Sequence, residues 1–137
     1  MNADGAALAR PRSYLAFDFG TRRIGVASGN TILGQAQPLA SVPGDGRERF
    51  DRIARLITDW QPDALVVGIP LHPDGTPHDN TARARRFARQ LHGRFGLPVH
   101  EVDERYSTTA AIAACAKDID AASAAIILDQ YLGSEKR

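Results

Sequence analysis

Apolar positions run almost unbroken from Tyr14 to Phe19, interrupted by Asp18 alone, and again from Ala64 to Ile69. Short apolar runs without alternation predict strands covered on both faces, so both segments are expected near the middle of a sheet. Gly25 to Ser28 is expected to pair with the first strand as a hairpin. Gly29-Asn30 then turns the chain, and roughly Gln35 to Ser41 adds a third antiparallel strand. The period changes after Pro43-Gly44-Asp45-Gly46, where Phe50, Ile53, Ile57 and Trp60 fall on one helical face that ends before Pro62. Pro70 to Asp79 carries three prolines and a glycine, which reads as an exposed loop. Beyond it Ala84, Phe87, Ala88 and Leu91 recur at i, i+3, i+4 and i+7, the stripe of an amphipathic helix. Gly96 to Val102 is expected as a further strand. Ser107 can cap a helix over Thr109 to Ala116, and a last helix is expected from about Asp120 to Leu132.

A three-strand meander followed by helix, strand, helix, strand and helices predicts an α/β fold, a mixed sheet with helices on its faces. The 137 residues support one domain, expected over residues 14–137, with residues 1–13 as a flexible N-terminal arm. The composition, 43% hydrophobic and 24% charged, is that of an ordinary globular protein, and no apolar run is long enough to span a bilayer. The first thirteen residues lack the apolar stretch of a secretory signal, so a cytoplasmic location without membrane attachment is expected. Cys115 is the single cysteine, which excludes an internal disulfide and a multi-cysteine zinc site. The histidines at 72, 78, 92 and 100 offer no zinc-ligand pair on one helix.

Asp18 is where chemistry enters. An unpaired carboxylate in a core costs several kcal/mol or is forced to protonate, so Asp18 should meet a cation, a hydrogen-bond cluster or a metal bound to phosphate. Gly20 and Gly25 bracket Thr21, Arg22 and Arg23, a turn whose amides and guanidinium groups suit phosphate beside that carboxylate. Asp103 and Glu104 fall at the end of a parallel strand, where open α/β sheets assemble their sites, and Asp120 opens the final helix. Carboxylates a few ångströms apart repel by roughly 4 kcal/mol per pair at an effective dielectric of 20. Three in one pocket therefore imply divalent cations, with Mg²⁺ or Mn²⁺ the natural choice for oxygen ligands and phosphate partners. Other readings compete: Asp120 can be a helix N-cap, and Glu104 with Arg105 a surface ion pair worth under about 1 kcal/mol.

The net charge of +1 hides an uneven distribution. Between Asn80 and His100 stand five arginines, at 83, 85, 86, 89 and 94, and no acid. Such a helix can simply be solvated. Arginine unrelieved by any glutamate favours a surface for phosphate backbones.

Taken together, these motifs resemble the YqgF (RuvX) family of Holliday junction resolvases and pre-16S rRNA nucleases, within the RNase H-like superfamily. The resemblance covers Tyr14 to Leu132. It rests on Phe17 to Ala27, Val66 to Leu71 with Asp74-Gly75, Ala82 to Ala88, Asp103-Glu104-Arg105, and Asp120 with Ala124 to Leu128. It implies a five-stranded RNase H-like mixed sheet with helices on both faces, and metal-dependent endonucleolytic hydrolysis of a phosphodiester. The implied task is processing the 5′ end of pre-16S rRNA in ribosome biogenesis. Asp18, Glu104 and Asp120 match the family's catalytic and metal-binding acids, holding two Mg²⁺ or Mn²⁺ ions. Thr21, Arg22, Arg23, Arg83, Arg86, Arg89 and Arg105 are the expected nucleic-acid contacts. Adjacent strand residues face opposite ways, so at most one of Asp103 and Glu104 should be a ligand, and the family motif favours Glu104. Asp118 could replace Asp120 after a shift of two residues, because the connection from Tyr106 to Ile119 is shorter than in family members. The expected partner is nucleic acid, pre-16S rRNA or branched DNA, with ribosomal particles as a further partner and the chain a monomer or weak homodimer. Two other classes remain open: a silent RNA-binding assembly factor, and a nucleotide-binding module of the actin-like ATPase type, which needs a second lobe that this chain does not supply.

Overall fold

In the computed structural model, residues 12–20, 22–44, 46–103 and 119–135 are described. Five strands, β1 (Ser13–Asp18), β2 (Arg23–Asn30), β3 (Ala36–Pro43), β4 (Ala64–Ile69) and β5 (Val99–Asp103), form one sheet in the order β3-β2-β1-β4-β5. β1 runs antiparallel to β2 and parallel to β4; β2 and β3 are antiparallel, β4 and β5 parallel. This is the mixed five-stranded sheet that the pattern predicts. The described helices are α1 (Gly46–Trp60), α2 (Thr81–Phe95) and α3 (Ile119–Glu135).

The unbroken apolar run of β1 follows from its place in the centre. Leu15 and Phe17 join Leu65, Val67 and Ile69 on one face, covered by Phe50 and Ile53 of α1 and by Ala84, Phe87, Ala88 and Leu91 of α2. Tyr14, Ala16 and Val66 point the other way, against Ile127, Leu128 and Leu132 of α3. Phe87 is the hub of the first core, within 5.3 to 6.1 Å of the rings of Phe17, Phe19 and Phe50.

Element ends depart from the sequence pattern for local reasons. Gly29 and Asn30 remain in β2, and the turn falls on the next residues, where Asn30 Oδ1 accepts from the Leu33 N–H at 2.8 Å and Gly34 takes a positive φ. Gly29 serves packing instead: a Cβ there would lie 2.9 Å from Leu128 Cδ2. Gly96 is not in a strand but terminates α2 in the left-handed conformation, its N–H bonded to the His92 carbonyl at 2.9 Å. Trp60, placed by periodicity on the buried face of α1, is 47% exposed. β1 begins at Ser13, whose N–H donates to Asp63 Oδ2 at 2.7 Å. The expected helix over Thr109 to Ala116 lies outside the described residues. Among the described residues no helix is long and apolar enough to cross a membrane.

Phe87 and Trp60 should therefore respond differently to truncation. Phe87→Ala should cost about 3 to 5 kcal/mol in urea unfolding, whereas Trp60→Ala should cost less than Phe87→Ala because about half of the indole already faces solvent.

Candidate active site

β1, β4 and β5 are parallel, so their C-terminal ends share one edge of the sheet. Asp18 is the last residue of β1. Its register partners are Gly25 on β2 and Gly68 on β4, so no side chain flanks it on either neighbouring strand. Glycine weakens a strand interior, and its occurrence on both sides of one carboxylate marks a place where another backbone approaches closely. Strand alternation places Asp18 on the face of α3, since its neighbour Phe17 lies in the opposite core.

The backbone that approaches at Gly25 is the first turn of α3. A Cβ on Gly25 would lie 1.7 Å from the Asp120 carbonyl oxygen and 2.9 Å from the Ala121 nitrogen, so glycine is what admits the helix end at that depth. Gly25 is also in register with Ser41 of β3, giving one row, Asp18, Gly25, Ser41, across three strands. Asp120 sits over the middle of that row. Its Oδ2 lies 3.1 Å from Arg23 Nε and 3.4 Å from Ser41 Oγ. α3 begins at Ile119, so Asp120 is in the first turn and not at the N-cap, and its charge complements the helix dipole there. Its partner Arg23 is 70% exposed, and such a pair contributes at most about 1 kcal/mol to stability.

Asp103 ends β5 in register with Ile69, whose side chain belongs to the core under α1 and α2. Asp103 is thus on the face opposite Asp18, as the alternation argument requires for one of the adjacent pair. Thr21, Glu104, Arg105 and Asp118 lie outside the described residues. The structure therefore brings two of the expected acids, Asp18 and Asp120, to one row; among the described residues no group of three or more His, Cys, Asp or Glu side chains could hold a metal ion. The donors on that row are carboxylate and hydroxyl oxygens, the chemistry that Mg²⁺ or Mn²⁺ takes.

The expected phosphate contacts divide. Arg83, Arg86 and Arg89 are exposed on α2, across the sheet from α3, and form no ion pair among the described residues. Arg22 is exposed beside the edge. Arg94 lies over the Phe50 ring at 4.0 Å and Arg85 stands 3.7 Å from Glu101, so both have structural partners. The N-terminus of α2 is anchored at the acid edge by Thr81, whose hydroxyl accepts from the His78 N–H at 2.7 Å and donates to the Pro70 carbonyl, placing Arg83 nearer that edge than Arg94.

The loop after β4 is an ordered hairpin, which its proline content did not suggest. Leu71 bridges Pro77, His72 exchanges backbone bonds with Thr76 and Gly75, and the His72 and His78 rings lie 5.2 Å apart. The Thr76 hydroxyl and then its backbone N–H hold the Asp74 carboxyl below its ordinary value. Sequence reasoning missed Ser41 and Gly68 as parts of the site, and it read Gly25 as the end of a phosphate turn where the structure makes it the seat of α3. The signal available for the glycines was their occurrence inside strands; Ser41 carried none.

Comparison with known proteins points the same way. The model of the RuvX family, described as Holliday junction resolvase, matches residues 12–134. A protein of Albidiferax ferrireducens named "Putative pre-16S rRNA nuclease" is 58% identical over 123 residues, covering 90% of this chain and 79% of the relative. One of Burkholderia thailandensis with the same name is 53% identical over 134 residues, 93% and 92% of the two chains. The structure of T. thermophilus RuvC in complex with a Holliday junction substrate superposes with a TM-score of 0.56 at 17% identity, covering 91% of this chain and 96% of that one. The fold is thereby the RNase H-like one expected from the sequence.

Gly25→Ala should displace the start of α3 and cost about 3 kcal/mol or more by overpacking against backbone, measured by urea unfolding. Gly29→Ala, which meets the end of the Leu128 side chain at 2.9 Å and the Gln35 carbonyl oxygen at 3.0 Å, should cost less.

Proposed function

The chain belongs to the RuvX Holliday junction resolvase family and is a nuclease, and from that premise we propose that it is a metal-dependent endonuclease that processes the 5′ end of pre-16S rRNA. The observation that carries this reading is Asp18 at the end of the central strand, with Gly25 and Gly68 as its register partners and the first turn of α3, with Asp120, packed against Gly25. The name shared by relatives more than half identical supports the rRNA substrate, and ribosomal particles follow as the setting in which it is met.

Asp18 and Asp120 hold the metal, with Glu104 as the third acid carried by the family motif. Mg²⁺ or Mn²⁺, two ions in this reading, supplies when bound Lewis-acid stabilisation of the phosphate and a water activated for attack. The protein's own part is positioning. Gly25 admits the first turn of α3 that brings Asp120 to the row of Asp18, and Arg22, Arg83, Arg86 and Arg89 neutralise phosphates flanking the reacting one, joined by Thr21 and Arg105 of the family motifs. Because α2 and α3 cover opposite faces, a strand that touches both passes over the edge where the parallel strands end. Recognition in this reading is by backbone and shape rather than by sequence.

The test is cleavage of labelled precursor rRNA and of a four-way DNA junction, side by side, with Mg²⁺, Mn²⁺ or EDTA. The reading expects cleavage of the rRNA precursor, abolished by EDTA; cleavage confined to the junction would overturn the substrate assignment. Asp18→Asn should lower the rate at least about a hundredfold with little change in melting temperature or RNA affinity, since it removes charge and keeps shape. Unchanged cleavage would remove Asp18 from the site.

The arginine face gives a separate prediction. Replacing Arg83, Arg86 and Arg89 together by Gln should weaken RNA binding by a similar factor across sequences and flatten its salt dependence by roughly 0.7 to 0.9 per lost contact. Stability should barely move, because glutamine is a good helix former. Salt titrations that overlay the parent's would make this face solvated surface.

A further inference from the structure

We propose that Arg23, with Ser41, is a positioning residue for the metal-binding carboxylate of Asp120 and not a phosphate contact. The proposal rests on the nuclease reading above and assigns part of the turn after β1 a different task within it. Both described contacts of the Asp120 side chain fall on one oxygen: Arg23 Nε at 3.1 Å and Ser41 Oγ at 3.4 Å both meet Oδ2. Oδ1 is left as the oxygen available to a cation.

The two donors come from different strands and approach from fixed backbone. Ser41 stands in register with Gly25, directly under the first turn of α3, and Arg23 opens β2 two residues before Gly25. Gly20 shapes the turn that delivers it, since a Cβ there would lie 2.4 Å from the Arg23 carbonyl oxygen. A carboxylate on a first-turn residue rotates freely unless donors hold it, and Asp120 is only two-thirds covered. Two donors on one oxygen remove that freedom at a cost already met by the fold. Hydrogen bonds of this kind to ligating groups set metal affinity by factors of about ten to a hundred. One of the five N–H donors of the Arg23 guanidinium meets Asp120 and sets the plane of the group, whereas among the described residues no ion pair engages Arg22, Arg83, Arg86 or Arg89.

The experiment is Mn²⁺ binding to the full chain without nucleic acid, followed by electron paramagnetic resonance, for the parent, Arg23→Lys, Arg23→Gln, Ser41→Ala and Asp120→Asn, with RNA-binding salt slopes for each. Ser41→Ala changes no charge and Arg23→Lys keeps it, so each should weaken Mn²⁺ binding by about tenfold through orientation alone. In the Asp120→Asn background the same substitutions should have no further effect, the signature of action through that one side chain. The salt slope of RNA binding should equal the parent's in Arg23→Gln. An unchanged Mn²⁺ titration in Arg23→Lys and Ser41→Ala, together with a slope flattened by about 0.7 in Arg23→Gln, would overturn the proposal and return Arg23 to the phosphate contacts. Failure of the underlying metal reading looks different: Asp18→Asn and Asp120→Asn would then bind Mn²⁺ as the parent does.

Discussion

The approach of α3 to β2 is the constraint on which the rest of this structure depends. A helix normally rests on a sheet at a distance set by side chains, but here Gly25 lies against the backbone of Asp120, and Gly29 against Leu128. Ala121, Ala122, Ala124 and Ala125 are buried on the same helix and keep its inner surface thin. The gain is geometric: an acid from the last described helix is lowered onto the row that Asp18 occupies on the first strand, more than a hundred residues earlier. Chain connectivity alone would never bring these two together, and a single added methyl group at Gly25 is enough to separate them.

The sheet divides labour between its faces. One face, under α1 and α2, is a large aliphatic and aromatic core centred on Phe87. The other, under α3, is thinner and richer in alanine, and it contains the acid row. The bulky core supplies stability while the thin side supplies access, and β1 belongs to both because alternate residues serve each. Asp18 can sit at the end of such a strand only because the strand stops there and glycines stand on either side.

Arginines that look alike in sequence do different physical work. Arg94 lies over an aromatic ring, Arg85 faces a glutamate across to β5, Arg23 holds a carboxylate, and Arg83, Arg86 and Arg89 face solvent without an ion-pair partner among the described residues. The nuclease reading uses this sorting, because a guanidinium already engaged by the fold binds phosphate at the expense of its present partner. The anchored start of α2 and the ordered hairpin before it then set which exposed arginines stand near the acid edge.

Much of this was legible in the amino-acid order. The central strands β1 and β4 and the buried stripe of α2 follow from hydrophobic spacing, because burial on two faces or one face leaves a direct record in residue type. Asp18 stood out for the same reason, as a charge in an apolar run, and the family motifs pointed to Asp120. What spacing could not reveal is anything set by register between distant strands. Gly29 read as a turn residue and Gly96 as strand, since a glycine records only that a side chain is absent and not whether a turn, a helix end or an approaching backbone requires it. Trp60 fell on the apolar stripe of α1 yet, as the last residue of the helix, is 47% exposed. Ser41 and Arg23 meet on Asp120 only because β3, β2 and α3 converge on one row, and tertiary packing alone decides such a convergence: hydrogen-bond geometry depends on positions in space to tenths of an ångström, which no periodicity in one dimension encodes.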